Sequence, residues 1–315
     1  EKKIQGIISL GGGGGTAIGT SAMRALPVGF PKLMVSTLAA SENVPTYVGV
    51  KDIVMMPSVV DVAGLNRISR PIFANATGAI CGMVEAKAPP ADDKPIIAAS
   101  MFGNTTDCVN QAKFILEEAG YEVLVFHATG TGGRAMESLI EAGLVSGVLD
   151  LTTTEWADEL VGGILAAGST RLEAAARNGV PAVIAPGCLD MVNFGPRDTI
   201  PKKFSGRLFY EHNPQVTLMR TTADECTALG QILAEKANLS TGPVAVLLPI
   251  EGISVISATG EPFNDPAADQ ALFAAIKSNL CKDIEVREIH TSVNDSTFAQ
   301  AAAETLLSLM QVKSI

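Results

Sequence analysis

A chain of 315 residues is long enough for two ordinary domains, and 47% hydrophobic against 18% charged residues describes a globule rather than a disordered segment. Its 23 basic and 33 acidic residues leave a formal charge of −10 with no compensating run of Lys and Arg, which argues against nucleic acid and anionic membrane as partners. No apolar run approaches the roughly 18 to 20 residues that span a bilayer.

Apolar runs of strand length alternate with helix-period segments almost throughout, which predicts βα units and a parallel sheet. Glu1-Lys2-Lys3 leads straight into a strand-like segment, Ile4–Leu10, rather than a signal peptide. A helix over Gly15–Ala25 follows, then strands at Lys32–Ser36 and Ile53–Met55. Val59–Val84 is rich in Ala, Gly and Ile with little charge after Arg70, so a helix or broken helix pair buried on most sides is expected there. Glu85–Lys94, with two prolines and mixed charges, breaks the pattern and marks a domain boundary. Beyond it lie strands at Pro95–Met101, Glu122–Phe126, Val148–Leu151, Ala182–Ala185, Val244–Leu248 and Glu285–Ile289. Helices are expected near Asp107–Ala119, Arg134–Ala142, Thr154–Gly162, Arg171–Asn178, Ala223–Ala237, Pro266–Asn279 and Ser296–Met310, a doubly wound pattern. Because the chain lacks an initiating Met and begins on a core-like strand, its first domain is expected to be N-terminally truncated.

Strand ends carry the polar chemistry. Leu10–Thr16 stands between a strand and a helix, and the five glycines Gly11, Gly12, Gly13, Gly14 and Gly15 cost entropy that is tolerated where amides must approach something closely. With Thr16 at the start of a helix, a phosphate or carboxylate is the expected ligand. The string lacks the Lys-Ser/Thr ending of a P-loop, and a flexible βα turn is the competing reading.

A second loop runs from Phe126 to Arg134 and gathers His127, Thr129, Gly130, Thr131, Gly132, Gly133 and Arg134. It offers hydroxyl and amide donors and a cation for phosphate, with a titratable group beside them. Asp150–Glu155 ends a strand, where Thr152 with Glu155 also fits a capping box. Ala185–Pro196 presents Asp190 and Asn193 in a glycine- and proline-rich loop, with Asp190 suited to orienting a histidine, holding Mg²⁺ through water, or capping the turn. Met101–Thr106 and His212–Thr222 read first as caps, the latter through Thr222 with Glu225.

Only three histidines occur, at 127, 212 and 290, and the five cysteines, at 81, 108, 188, 226 and 281, form no CxxC pair. No transition-metal site or disulfide framework is therefore expected, and a reducing, cytoplasmic compartment fits. No Gly-x-Ser-x-Gly elbow supports a serine hydrolase.

Taken together, Leu10–Thr16, Pro31–Thr37, Ser58–Arg70, Val125–Leu139, Gly147–Gly163, Asp190–Pro196 and His212–Thr222 resemble the family of the plant tobamovirus-resistance protein. The strings His-Ala-Thr-Gly-x-Gly-Gly-Arg-Ala-Met and Asp-Met-Val-Asn-Phe-Gly-Pro are its most specific features. The resemblance implies two Rossmann-like doubly wound α/β domains, here 1–87 and 95–315, facing each other across a cleft. It also implies ATP as the ligand, while Mg²⁺ enters only in an enzymatic version, held with the help of Asp190 or Glu155.

The leading expectation is nucleotide or phosphorylated-ligand binding at Gly11–Thr16 and Thr129–Arg134. In an enzymatic version His127 is the acid or base, and Asp190 or Glu155 orients it. The alternatives are an enzyme on a small phosphorylated or carboxylated metabolite, and a homo-oligomeric scaffold with a protein partner.

Overall fold

The computed structural model describes residues 4–89 and 93–312. The chain divides into two units, Glu1–Asp92 and Asp93–Ile315. Glu1-Lys2-Lys3, and residues 90–92 of the expected boundary, lie outside the described residues.

In unit 1, β1 (Ile7–Gly11), β2 (Lys32–Ser36) and β3 (Val54–Pro57) form a parallel sheet in the order β1-β2-β3. The helices are α1 (Gly13–Arg24), α2 (Val44–Val48) and α3 (Ser69–Glu85). The central strand β2 is buried along its whole length, including Lys32, whose ammonium sits on the Pro27 and Phe30 carbonyls and 2.9 Å from Asp52. Leu33 and Val35 pack on Ala76 and Ile80 of α3.

The expectation of a long buried helix from Val59 fails here. Asn66 Oδ1 accepts the amides of Ile68 and Ser69, so α3 begins ten residues later, at Ser69. Ahead of it Val59 and Leu65 are 76% and 70% exposed. Only Ser69, Ala76 and Ile80 of α3 are fully buried. A small three-stranded sheet covers one stripe of a helix, and a low charge count says nothing about the other faces.

Unit 2 begins with β4 (Ile96–Met101), α4 (Thr106–Glu118), β5 (Glu122–His127), α5 (Thr131–Glu141), β6 (Gly147–Thr152), α6 (Glu155–Val161), α7 (Glu173–Arg177) and β7 (Ala182–Gly187). It continues through β8 (Met191–Phe194), β9 (Phe209–Asn213), β10 (Val216–Arg220), α8 (Ala223–Asn238), β11 (Val244–Pro249), α9 (Pro266–Asn279), β12 (Glu285–Ile289) and α10 (Ser296–Val312). Six parallel strands lie in the order β12-β11-β7-β6-β4-β5.

Alternate residues of these strands feed two cores. Ile97, Ala99, Leu149 and Val183 meet α4 and α10, while Ala98, Val148, Ala182 and Ile184 meet α5, α7, α8 and α9 on the opposite face. The unit is thus an α/β layer with helices on both faces. From β4 the chain runs to β5 on one side and then passes back to β6 on the other. The topological switch point, where ligands favour such sheets, therefore lies at the carboxyl ends of β4 and β6.

The sequence reading missed the antiparallel sheet β8-β10-β9, inserted between β7 and α8. Its strands carry Asn193, His212 and Arg220, and its turns carry Gly195-Pro196 and Asn213-Pro214, so polarity and turn signals masked it. The β9–β10 turn is held by Asn213 Oδ1, which accepts the Gln215 amide at 2.9 Å. Among the described residues no helix is long and apolar enough to cross a membrane.

Candidate functional site

The Thr129–Arg134 loop is occupied from within. Glu155 Oε1 accepts the Gly130 amide at 2.6 Å and the Gly133 amide at 3.1 Å, putting a carboxylate of the same chain where a phosphate was expected. Close packing also explains the glycines. A Cβ on Gly133 would stand 2.2 Å from Glu155 Oε2, one on Gly132 would stand 1.8 Å from the His127 carbonyl oxygen, and Gly130 has φ +78°. Arg134 reaches the Ala166 carbonyl at 3.2 Å and Thr131 Oγ1 at 3.3 Å.

Glu155 is fully buried and does not complete a capping box with Thr152. The first residue ahead of α6 is Thr154, and the Glu155 side chain turns away from its own helix to cap α5 instead. Thr152 Oγ1 meets Thr105 Oγ1 at 2.7 Å, tying the carboxyl end of β6 to the turn after β4.

Arg171, 1% exposed, is the hub beneath this loop. It holds Asp150 through two bonds of 2.5 and 2.7 Å, Glu155 Oε2 at 2.6 Å and Glu137 at 3.2 Å. Glu137 in turn accepts the Leu172 and Ala174 amides, both at 2.8 Å, and so caps α7. Burial raises the Glu137 carboxyl above its usual range even with Arg171 alongside. Three carboxylates around one guanidinium leave excess negative charge, which a raised Glu137 pKa relieves. No local pattern marks this hub in the sequence, because its carboxylates lie 16 to 34 residues from Arg171.

Asp190 is also fully buried, with Oδ2 accepting the Ser254 hydroxyl at 2.8 Å and no partner for Oδ1 among the described residues. Burial pushes its carboxyl up to about 6, against the pull of Arg220 and the Ser254 hydrogen bond. Asn193 donates its amide and its side-chain NH₂ to Asp158, at 2.8 and 2.6 Å. Burial pushes Asp158 up to about 7 despite those bonds.

His127, at the end of β5, is exposed and makes no side-chain hydrogen bond among the described residues. Neither Asp190 nor Glu155 orients it. Between β5 and β7, whose end leads to Asp190, stand β4 and β6, a separation of about 14 Å at strand spacing. The three residues expected to share a reaction are thus not assembled. Nor do Asp190 and Glu155 fit Mg²⁺, since one is enclosed on Ser254 beside Arg220 and the other is filled by amides and Arg171. Among the described residues no group of three or more His, Cys, Asp and Glu is placed to hold a metal ion.

What His127 does join is a hollow of about 340 Å³ lined by Phe102, Gly103, Asn104, His127, His212, Asn213, Val216 and Leu218. It brings together two stretches for which the sequence favoured capping, Met101–Thr106, with a second anion contact as the alternative, and His212–Thr222.

The Gly11–Thr16 loop of unit 1 is different. No side chain caps α1, no acidic residue stands in its first turn, and the Gly13, Gly14 and Gly15 amides have no partner among the described residues. Thr16 Oγ1 is tied to Ser36 Oγ at 2.6 Å, which fixes the loop to the end of β2. The Thr37 hydroxyl lies 3.6 Å from where a Gly12 Cβ would be. Arg67 and Arg70, later in the chain than β3, have no carboxylate partner among the described residues. Amides and a hydroxyl at a helix start without an internal anion make a site that can accept one.

Family models described as the N-terminal and C-terminal domains of an uncharacterised protein family, UPF0261, match residues 1–89 and 94–310. A UPF0261 protein of Clostridium tetani is 54% identical over 99% of this chain and 77% of its own length. One from Mesorhizobium japonicum is 52% identical over 96% of this chain and 76% of its own length. The tomato ToMV resistance protein Tm-1(GCR237) is 43% identical over 98% of this chain, which spans 42% of that protein. The tomato ToMV susceptible protein tm-1(GCR26) is 42% identical over the same shares.

Proposed function

As the chain belongs to the UPF0261 family across both of its units, we propose that it binds a phosphorylated ligand, with a nucleotide such as ATP the leading candidate, on the Gly11–Thr16 loop of unit 1. The observation that carries this reading is the set of unpartnered amides at Gly13, Gly14 and Gly15, at the start of a twelve-residue helix with no acid in its first turn. The Thr37 hydroxyl beside Gly12 supplies a further donor for a phosphate.

The second glycine loop takes no phosphate on its Gly130 and Gly133 amides, because Glu155 holds both. The tomato relatives lend the reading no partner of their own, since the resistance and the susceptible protein resemble this chain equally.

Isothermal titration of the protein with ATP, ADP and glucose 6-phosphate tests the proposal, and heat from none of the three would sink it. Gly14→Asp is the matched variant. A Cβ there meets nothing within 4 Å, so the fold accepts it, while the new carboxylate repels an anion. Affinity should fall about tenfold or more. Unchanged affinity would place the ligand elsewhere.

A further inference from the structure

We propose that unit 2 has a ligand site of its own. The hollow beside the carboxyl ends of β4 and β5 binds a small organic oxyanion, a carboxylate or phosphate monoester carried on an apolar body. This does not rest on the reading of the glycine loop in unit 1.

The first argument is position. The hollow opens on the turn after β4, one of the two strands that define the switch point of the parallel sheet. The second is size, because about 340 Å³ lies within the range that small-molecule sites occupy.

Lining chemistry is the third. Phe102, Val216 and the fully buried Leu218 make an apolar floor, continuous with the cluster of Met191, Ile256 and Phe263. The rim is Asn104, His127, His212 and Asn213, all able to donate N–H bonds. The Gly103 and Asn104 backbone amides also have no partner among the described residues. In a chain of net charge −10, no acidic side chain among the described residues lines this hollow. Glu211, next to His212, and Asp107, in the first turn of α4, both stand outside the lining. A surface rich in donors and free of carboxylates favours an oxyanion over a cation, and the floor favours an apolar body over a sugar.

The three histidines give a direct readout. His127 and His212 line the hollow and His290 does not, so it serves as an internal reference. Imidazole signals, assigned with single His→Gln variants, are followed by NMR during titration with phenylacetate, phenyl phosphate, 2-phenylethanol and phenethylamine. The expected result is a saturable shift of the His127 and His212 signals with one shared Kd for phenylacetate or phenyl phosphate, the tighter of the two naming the oxyanion. The His290 signal should stay still.

His212→Gln should weaken the anion about tenfold, whereas Gly14→Asp should leave its Kd unchanged. No saturable shift with either anion would overturn the proposal. So would equal shifts at all three histidines, or binding of the alcohol or amine as tightly as the anions.

Discussion

Both glycine-rich turns sit between the carboxyl end of a parallel strand and the first turn of a helix, yet their glycines have different causes. At the end of β5, glycine is needed because an acceptor of the same chain is packed against the turn. Glu155 takes the Gly130 and Gly133 amides, and side chains at 132 and 133 would collide with what is already there. At the end of β1 Gly13 and Gly14 are exposed, their amides have no partner among the described residues, and a Cβ on Gly14 would touch nothing within 4 Å. Composition alone therefore cannot distinguish a turn that is full from one that is free. The distinction lies in whether a buried carboxylate elsewhere in the chain reaches the helix start.

The sharpest way to break this comparison is to remove what holds the internal carboxylate. Arg171→Leu leaves Asp150, Glu155 and Glu137 buried around an apolar side chain with no cation. Unpairing a buried charge costs about 3–5 kcal/mol, and unit 2 should lose that much stability. Urea denaturation followed by fluorescence of Trp156, the sole tryptophan and a residue of unit 2, measures it. A loss under about 1 kcal/mol would mean that Glu155 keeps its place without Arg171, and the contrast between the loops would need another explanation.

A smaller effect of opposite sign in the two loops sharpens the same point. Gly133→Ala drives a methyl group into the Glu155 carboxylate, and overpacking of this kind costs about 1–3 kcal/mol. Gly14→Ala lies inside α1 with open space around it and should instead stabilise unit 1 by roughly 0.5–1 kcal/mol, the helix preference for Ala over Gly. Thermal denaturation followed by circular dichroism compares the pair. Destabilisation by both would show that the first loop is packed as tightly as the second.

What the sequence made legible follows the same division. The six parallel strands of unit 2 and their helices were readable because each is a short apolar run beside a helix-period segment, and Thr222 is a helix cap as its position suggested. The antiparallel sheet was not, since β9 carries Glu211, His212 and Asn213 and looks like a loop. The partners of Glu155 were hidden for a different reason. Local spacing offered Thr152 three residues earlier, while the true partners, Gly130 and Arg171, lie 25 residues before and 16 after. A tertiary contact of that range leaves no periodicity to read. The hollow around His127 was half legible: each histidine was noticed, but the β9–β10 hairpin that brings His212 beside β4 was not.

Proton binding separates the two units again. Burial pushes Asp158 up to about 7 and Asp190 up to about 6, and raises Glu137 as well. In the unfolded chain these carboxyls return to values near 4. Between about pH 4 and pH 7 the folded unit 2 therefore holds more protons than the unfolded one, so its stability is greatest at the acid end of that window and falls as pH rises. In unit 1, Asp52 shifts the other way. Burial pushes its carboxyl up, but the Lys32 and Gly29 hydrogen bonds outweigh this and hold it below the usual range, so its titration lies under pH 4. Trp156 fluorescence in urea at pH 5 and pH 7.5 should show unit 2 less stable at the higher pH by up to about 4 kcal/mol, the pull of Arg220 on Asp190 being already contained in its value of about 6. Asp158→Asn should make that slope shallower even if it lowers stability at every pH, since an amide has no proton to lose. A wild-type slope of the opposite sign would mean that Asp158 and Asp190 are ionised and paired in the fold, as Asp150 is with Arg171.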